Sequence, residues 1–310
     1  MHKRILFLGA AKRVSLIEHF FSAAKQLAIS LDCFSLEKEN KKYAISNFAK
    51  ILTAPSFDSP DFFNSLEYLT KKEKIDIIIP NIDPATTVLA EFSRHCRRNI
   101  WCVVSELELC TTMFNKTTAQ HFFTLHNIPT PQNTPHVFPK IFKPIHGSGA
   151  CGITIANTQK EYTSLLERKL KSHIVQDYIP WKEYTVDIYF DKNSKLIGYN
   201  IRERIEVESG EVMVAQSIQP RQVEDDLIHQ IAKLGKWQGC ITLQYFRNDD
   251  DLLVIEINPR FGGGATLSIA SGLNMPLYIL QQSIGLEITT PGKMKNLLMC
   301  RARRDFFFEA

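Results

Sequence analysis

The sequence predicts a mixed fold, in which a parallel α/β region is followed by a larger α+β region. Over the first hundred residues, short apolar runs typical of strands alternate with amphipathic segments of helical period. After Ser105 the pattern changes, and from Val137 to Phe308 the predicted strands are longer and richer in β-branched and aromatic residues. Alternation of this kind indicates parallel strands joined by helices, whereas the second pattern is typical of antiparallel sheets.

The first region contains five predicted strands and three predicted helices. Because ligands of open parallel sheets bind beyond the carboxyl ends of the strands, we expect binding at the turns Gly9–Arg13 and Pro80–Pro84. The first turn lacks the second and third glycines of a dinucleotide fingerprint, which argues against NAD. The strands are Arg4–Leu8, Ile29–Ser35, Lys50–Leu52, Ile75–Ile79 and Ile100–Val104, and the helices are Val14–Leu27, Pro60–Lys71 and Pro84–Cys96.

The second region opens with two helices and a proline-rich turn, Ile128–Pro139, before its strands begin. No internal repeat or low-complexity segment interrupts it. Its predicted helices are Glu106–Met113, Asn115–His126, Thr158–Leu170, Val223–Trp237 and a segment after Gly264.

Composition excludes several classes of protein. A net charge of +4 over 310 residues is far below that of a dedicated nucleic-acid binder. No run approaches the ~18 apolar residues of a membrane span. The seven cysteines follow neither a zinc nor a disulfide pattern, which favours a reducing cytoplasm. We therefore expect a cytoplasmic protein with no nucleic-acid or membrane partner, and we expect the basic clusters Arg94–Arg98 and Arg301–Arg304 to be solvated faces.

The segment Phe142–Gly152 resembles a phosphate loop of the hairpin type. It places Lys143 at the end of a strand and then three glycines within six residues, at 147, 149 and 152. Glycines let successive backbone N–H groups turn toward phosphate oxygens, and a lysine adds a point charge there. Taken alone, such a segment could equally be a plain turn.

Two further segments contain candidate residues for binding a nucleotide and a metal ion. Val175–Asp187 is extended and contains Glu183, so its backbone could pair with an adenine edge and its carboxylate with ribose hydroxyls, although a solvated sheet strand is the alternative. In Leu252–Gly264, the period of a strand puts Glu256 and Asn258 on one face, which Arg260 continues into three consecutive glycines. Such paired oxygen ligands suit Mg²⁺ bound together with nucleotide phosphates. Gln244, on the preceding strand, is predicted to lie opposite them.

Together these segments resemble the ATP-grasp superfamily, most closely the branch of stand-alone ligases similar to the carbamoyl phosphate synthase large subunit. The motifs Lys-Pro-x-x-Gly-Ser-Gly from Lys143, Lys-Glu-Tyr-Thr-Val-Asp from Lys182 and Glu-x-Asn-Pro-Arg from Glu256 occur in the order and at the spacing of that family. Gly9–Val14 and Ile78–Asp83 resemble the start of its pre-ATP-grasp domain and its substrate-side loop. The resemblance implies a pre-ATP-grasp domain over residues 1–105 and an ATP-grasp domain over residues 106–310, with lobes at about 106–176 and 177–310.

The resemblance also implies roles for individual residues. Lys143 and Arg260 would be catalytic, with Arg260 stabilising the transferred phosphoryl group. The implied ATP-binding residues are Lys116, Lys143, Gly147, Ser148, Gly149, Gly152, Gln176, Asp177, Tyr178, Ile179 and Glu183. The implied metal ligands are Gln244, Glu256 and Asn258, and the substrate candidates are Asp83, Arg202, Arg204 and Gly263.

The implied activity is ADP-forming ligation of a small carboxylic acid, such as an amino acid, to an amine through an acyl phosphate. ATP would be used with Mg²⁺, or with Mn²⁺ in its place, and a homodimer is common in the superfamily. Family members often have an acidic residue where Gln176 stands, although an amide there can still accept from the adenine amino group. Many also have Asp or Glu where Gln244 stands, and the neutral amide leaves the number of metal ions open. Two alternatives also stay open: a catalytically silent ATP-binding subunit, and solvated pairing of Arg202 and Arg204 with Glu203 and Glu206.

Overall fold

A parallel sheet of five strands forms the first part of the chain in a computed structural model that describes residues 1–96, 98–147, 149, 151–249 and 251–309. The strand order is β3-β2-β1-β4-β5, and every neighbouring pair is parallel, as the alternating sequence pattern predicts. The elements are β1 (His2–Leu8), α1 (Val14–Gln26), β2 (Ser30–Glu37), a 3₁₀ turn (Ala44–Asn47), β3 (Lys50–Thr53), α2 (Phe62–Lys72), β4 (Ile77–Pro80), α3 (Asp83–His95) and β5 (Trp101–Cys102).

Several predicted elements extend beyond their observed bounds by one or more residues, and two of these differences have a clear local cause. The fifth strand was expected to reach Val104, but the Val104 N–H donates to the Cys102 carbonyl at 3.0 Å, and this tight turn ends the strand. The helix predicted to end at Trp237 ends at Ala232, because the buried Trp237 ring folds back and its indole N–H donates to the Ile231 carbonyl at 2.8 Å.

The second part of the chain forms two antiparallel sheets. The six-stranded sheet has the order β13-β12-β9-β10-β11-β14, and the three-stranded sheet has the order β7-β6-β8. Their elements are α4 (Leu107–Phe114), α5 (Lys116–Leu125), β6 (Lys140–Pro144), β7 (Thr154–Ala156), α6 (Gln159–Lys169), β8 (His173–Asp177), β9 (Lys182–Phe190), β10 (Leu196–Glu208), β11 (Glu211–Ile218), α7 (Gln222–Ala232), β12 (Gly239–Arg247), β13 (Leu252–Asn258), α8 (Ala265–Ser271), α9 (Met275–Ser283) and β14 (Leu298–Cys300). The mixed fold predicted from the sequence is therefore confirmed.

One hydrophobic core joins the parallel sheet to the chain that follows β13. Phe20 of α1 packs edge-on against Phe7 of β1 at 5.2 Å and against Phe261 at 6.2 Å between ring centroids. The same core contains buried residues of α8 and α9. This core contains residues from both sides of position 105. The domain boundary at that residue therefore stays a prediction. Within the described residues, no helix has the length and apolar character needed to cross a membrane.

Phe261→Ala should lower the free energy of unfolding by about 3–5 kcal/mol, since it removes a buried ring that is 1% exposed and leaves a cavity. Phe307→Ala is the control, because the Phe307 side chain is 87% exposed and should change that free energy by less than about 0.5 kcal/mol. Urea denaturation of both variants gives the comparison, and equal losses would show that Phe261 does not anchor its loop.

Candidate active site

A cavity of about 430 Å³ lies where the two antiparallel sheets meet the carboxyl edge of the parallel sheet. Residues of β6, β8, β9, β10, β12 and β13 line it, together with the glycine loop after β6, the loop after β13 and Arg13. Each of the three predicted motif segments contributes residues to it. The apolar part of the lining includes Ile141, Ile174, Phe246 and Ile255.

Lys143 reaches the cavity from β6 and is largely buried. Burial lowers the pKa of Lys143, whereas the charges of Glu256 and Glu183 oppose that shift. Lys116 also lines the cavity. It is the first residue of α5 and follows the capping residue Asn115, whose side chain accepts two helix N–H groups. The Lys116 ammonium donates to the Gly147 carbonyl at 2.7 Å, so it holds the glycine loop at this end of the cavity.

The glycine loop packs closely on the turn between β10 and β11. Gly149 has a φ of +70°, and a Cβ atom added to Gly210, whose φ is +79°, would lie 2.6 Å from the Gly149 Cα atom. Both positions therefore need glycine. Gly152 follows in the same loop, whereas Ser148 lies outside the described residues. Of the described loop residues, Gly147, Gly149 and Cys151 line the cavity.

Glu183 stands at the start of β9 and faces β10. The Arg204 guanidinium bonds to it at 3.2 Å. Burial raises the pKa of Glu183; Arg204 and Lys143 oppose this shift, and Glu256 adds to it. The carboxylate is therefore oriented by Arg204 and shares one electrostatic environment with Lys143 and Glu256.

Glu256 lies opposite Gln244 in the register between β12 and β13, as the sequence predicts. The Asn258 amide donates to the Glu256 carboxylate at 2.8 Å. In the amide orientation that satisfies its neighbours, Gln244 also donates to Glu256, and its oxygen accepts from Arg204 at 3.0 Å.

This donor set fits Mg²⁺ in part. Glu256 offers a carboxylate, and Asn258 can offer its amide oxygen after a rotation about its side chain, both of which suit a cation that prefers oxygen. The Gln244 oxygen is already bonded to Arg204, so Gln244 fits less well. Among the described residues, no group of three or more His, Cys, Asp or Glu could hold a metal ion.

The segment predicted to bind adenine divides into residues that reach the cavity and residues that do not. Gln176 lines the cavity, and its buried side-chain oxygen has no hydrogen-bond partner among the described atoms. The Asp177 carboxylate instead bonds to Lys140 and Thr134. The backbone N–H of Tyr178 donates to the Pro139 carbonyl at 2.9 Å. Asp177, Tyr178 and Ile179 are not among the residues that line the cavity.

The predicted substrate residues meet beside the loop that follows β13. Arg260 bonds to Asp83 at 2.6 Å through both Nε and Nη2, so the start of α3 touches this loop. Arg202 bonds to the buried carboxylate of Asp187 at 2.7 and 3.3 Å. Arg202, Arg204, Arg260 and Gly263 all line the cavity. The roles assigned to these residues stay predictions.

The alternative pairing of Arg202 and Arg204 with Glu203 and Glu206 is wrong. Strand alternation sends residue 203 to the opposite face from 202 and 204, and Glu203 bonds there to Lys182 at 2.7 Å. The two arginines point inward instead, where Asp187 accepts from Arg202 and Glu183 forms an ion pair with Arg204.

Sequence reasoning placed Arg13 in the expected binding turn Gly9–Arg13 without giving it a role, and it missed Arg301. Arg13 lines the cavity and is the N-cap residue of α1, at the carboxyl edge of the parallel sheet. Arg301 was expected on a solvated face, but its guanidinium donates to the Gly263 carbonyl and its side chain is partly buried. The pairing of β14 with β11 brings Arg301, which directly follows β14, to the loop after β13.

Asp187→Asn should lower the free energy of unfolding by about 3–5 kcal/mol, because it leaves the Arg202 guanidinium, 1% exposed, without a charged partner. Glu203→Gln breaks a pair in the same sheet whose Lys182 partner is 70% exposed, and it should have no resolvable effect. Denaturant titration measures both, and a negligible loss for Asp187→Asn would mean that the inward pair is not needed for folding.

Comparisons with known proteins show similarity in sequence and in fold. Residues 169–304 match the family described as ATP-grasp in the biosynthetic pathway with Ter operon. The carbamoyl phosphate synthase large chain of Neisseria meningitidis is 22% identical over an alignment of 344 positions, which covers 92% of this chain and 30% of that protein. The chain spans less than a third of the length of such curated relatives.

Solved structures give the same fold. N5-carboxyaminoimidazole synthetase from Staphylococcus aureus, complexed with ADP, has a TM-score of 0.77 at 14% identity, over 97% of this chain and 82% of that chain. L-amino acid ligase from Bacillus licheniformis has a TM-score of 0.69 at 16% identity, over 94% and 75%. Together with the ordered motifs, these matches show that the chain contains an ATP-grasp domain, with carbamoyl phosphate synthase large chains among its homologues.

Proposed function

We propose that the protein is an ATP-dependent ligase that joins a small carboxylic acid to an amine through an acyl phosphate. The observation that carries the proposal is the meeting of Lys143, Glu256, Asn258 and Arg260 around one cavity. The names of the two solved neighbours, a synthetase complexed with ADP and an amino acid ligase, are consistent with it.

The nucleotide would lie at the end of the cavity that Lys143 and Lys116 line. Apolar side chains there suit a base, and the unpartnered Gln176 oxygen can accept from an exocyclic amino group. Glu183, held by Arg204, can accept from ribose hydroxyls. The two lysines supply positive charge for the phosphates, while the glycine loop closes over them.

In the first step a substrate carboxylate oxygen attacks the γ-phosphorus, the bond from the γ-phosphorus to the bridging oxygen breaks, and ADP leaves. In the second step an amine attacks the acyl carbon, loses a proton, and expels inorganic phosphate. Positioning and charge neutralisation carry most of such catalysis. Mg²⁺ would neutralise phosphate charge and orient the phosphoryl group when bound with the nucleotide at Glu256 and Asn258.

Arg260 would stabilise the transferred phosphoryl group. Its bond to Asp83 through Nε and Nη2 orients the guanidinium, and Nη1 donates to the Phe261 carbonyl at 3.2 Å. A phosphoryl oxygen would share these N–H groups with Asp83. The ion pair therefore keeps Arg260 in place while the cavity is open to solvent.

A turnover screen tests the activity. The wild type, supplied with pooled amino acids, Mg²⁺ and ATP, should release ADP and inorganic phosphate. Lys143→Ala should abolish release and weaken nucleotide binding roughly tenfold to hundredfold, because a charge-assisted contact to the phosphates is lost. Lys160→Ala, on the exposed face of α6, is the control and should behave as the wild type.

Chromatography of the nucleotide and phosphate products decides between mechanisms. AMP and pyrophosphate would overturn the acyl phosphate route in favour of adenylation. Tight nucleotide binding without turnover by any carboxylate and amine pair would instead support a catalytically silent ATP-binding subunit.

Metal binding should depend on the nucleotide, because one carboxylate and one amide are too few ligands to hold Mg²⁺ tightly alone. Thermal shift assays with Mg²⁺, with ATP and with both should show a rise in Tm from Mg²⁺ only when ATP is present. Glu256→Gln should keep the shift with ATP alone and lose the addition from Mg²⁺. Glu167→Gln, at an exposed position of α6, is the matched control. An equal shift from Mg²⁺ alone would indicate a separate metal site and contradict the assignment.

A further inference from the structure

The loop from Gly262 to Gly264 is surrounded by arginines that the proposed reaction does not use. We propose that Arg13, Arg202 and Arg301 form a second anion site there, so that one substrate carries an anionic group in addition to the carboxylate that is phosphorylated. This inference rests on the proposed function and narrows its substrate class to small molecules with at least two acidic groups, the second being a carboxylate or a phosphate.

The glycines make room for the three guanidinium groups. A Cβ atom on Gly264 would lie 2.3 Å from Nη1 of Arg202, closer than real Cβ contacts allow. A Cβ atom on Gly263 would lie 3.6 Å from Nη1 of Arg13, and the Gly263 carbonyl accepts from Nη2 of Arg301. Three side chains from α1, β10 and the segment after β14 therefore converge on two consecutive glycines.

Arg202 has a hydrogen-bonding group to spare. Asp187 accepts from its Nε and Nη2, while Nη1 is buried and has no partner among the described atoms. The side chain is 1% exposed, so solvent reaches it poorly. A buried N–H group of a charged side chain without an acceptor is costly. An anionic oxygen at Nη1 would remove that cost.

The Arg13 guanidinium has fewer partners than that of Arg202. Its one side-chain hydrogen bond within the described part of the chain is a long contact of 3.5 Å to the Asn81 carbonyl, and no carboxylate there forms an ion pair with it. Burial, with the charges of Arg260 and Arg301, lowers the pKa of Arg13 to about 10, and Glu211 and Asp83 oppose the shift. The group therefore remains protonated at neutral pH.

The balance of charge around this loop is positive in the described structure. Four guanidinium groups, those of Arg13, Arg202, Arg260 and Arg301, face three carboxylates, those of Asp83, Asp187 and Glu211. Asp83 and Asp187 are each bonded to one arginine, and Glu211 contacts Arg301 only at 3.5 Å. Since Arg260 is assigned to the phosphoryl group, the remaining positive charge is available to a second anionic group.

The experiment uses the full chain saturated with Mg²⁺ and a non-hydrolysable ATP analogue, so that the phosphate sites of the nucleotide are filled. Inorganic phosphate, sulfate, malonate, succinate and glutarate are then titrated by isothermal calorimetry. At least one of these anions should bind the wild type. Arg13→Gln and Arg301→Gln should each weaken it about tenfold or more, since each removes a charge-assisted contact. Arg303→Gln removes the same charge from a side chain that is 89% exposed and should change nothing.

Preference for phosphate or for a dicarboxylate identifies the second group of the substrate. The proposal is overturned if none of these anions binds, or if Arg13→Gln and Arg301→Gln bind the anion as well as Arg303→Gln does. Binding of the ATP analogue is measured first for every variant. A wild type that binds no analogue would count against the proposed function, whereas the anion titration without nucleotide would still test the arginine site.

Discussion

The packing of Phe261 on Phe20 joins the parallel sheet to the loop in which the candidate active site is concentrated. Phe261 follows Arg260 directly and precedes the three glycines, so the position of its ring sets the path of the loop. The neighbouring residues are held as well, because the Arg260 carbonyl accepts from the Thr242 hydroxyl at 2.9 Å. Side chains from three separate parts of the fold can meet here only because this loop is fixed between them.

Electrostatic pairing gives each inward arginine a defined orientation. Glu183 holds Arg204, Asp187 holds Arg202, and Asp83 holds Arg260. Buried ion pairs of this kind add little net stability, because desolvation offsets most of their attraction. Their effect is to fix the direction of the remaining N–H groups, which is what recognition of phosphate or carboxylate oxygens requires.

The fold and much of the lining of the site could be predicted from the sequence because they depend on patterns among neighbouring residues. Period and turn chemistry identify strands and helices, and strand alternation predicts that Glu256 and Asn258 share a face and that Gln244 lies opposite. The partners of Arg202 could not be found in this way. Asp187 lies on the neighbouring strand, and its register with β10 depends on tertiary pairing.

Dependence on tertiary packing also explains why the positions of Arg13 and Arg301 beside the loop after β13 could not be predicted. Both are distant in sequence from the loop after β13, and only the packing of α1 and the pairing of β14 with β11 bring them to it. Asp177 illustrates the opposite case. Its position in β8 was predicted to serve the nucleotide, but the side chain bonds to Lys140 and Thr134, because strand alternation turns it away from Gln176.

Two groups of cationic side chains therefore surround the candidate site. Lys143 and Lys116 belong to a cavity lining that also contains apolar side chains and glycines of the loop after β6, which suits a nucleotide. Arginines surround Gly263 and Gly264, whose missing side chains leave room for the guanidinium groups. Glu256 and Asn258 line the same cavity as the two lysines and as Arg13 and Arg202. A reaction that transfers a phosphoryl group from a nucleotide to an acidic acceptor needs positive charge on both sides of the transferred group, and this distribution of side chains supplies it.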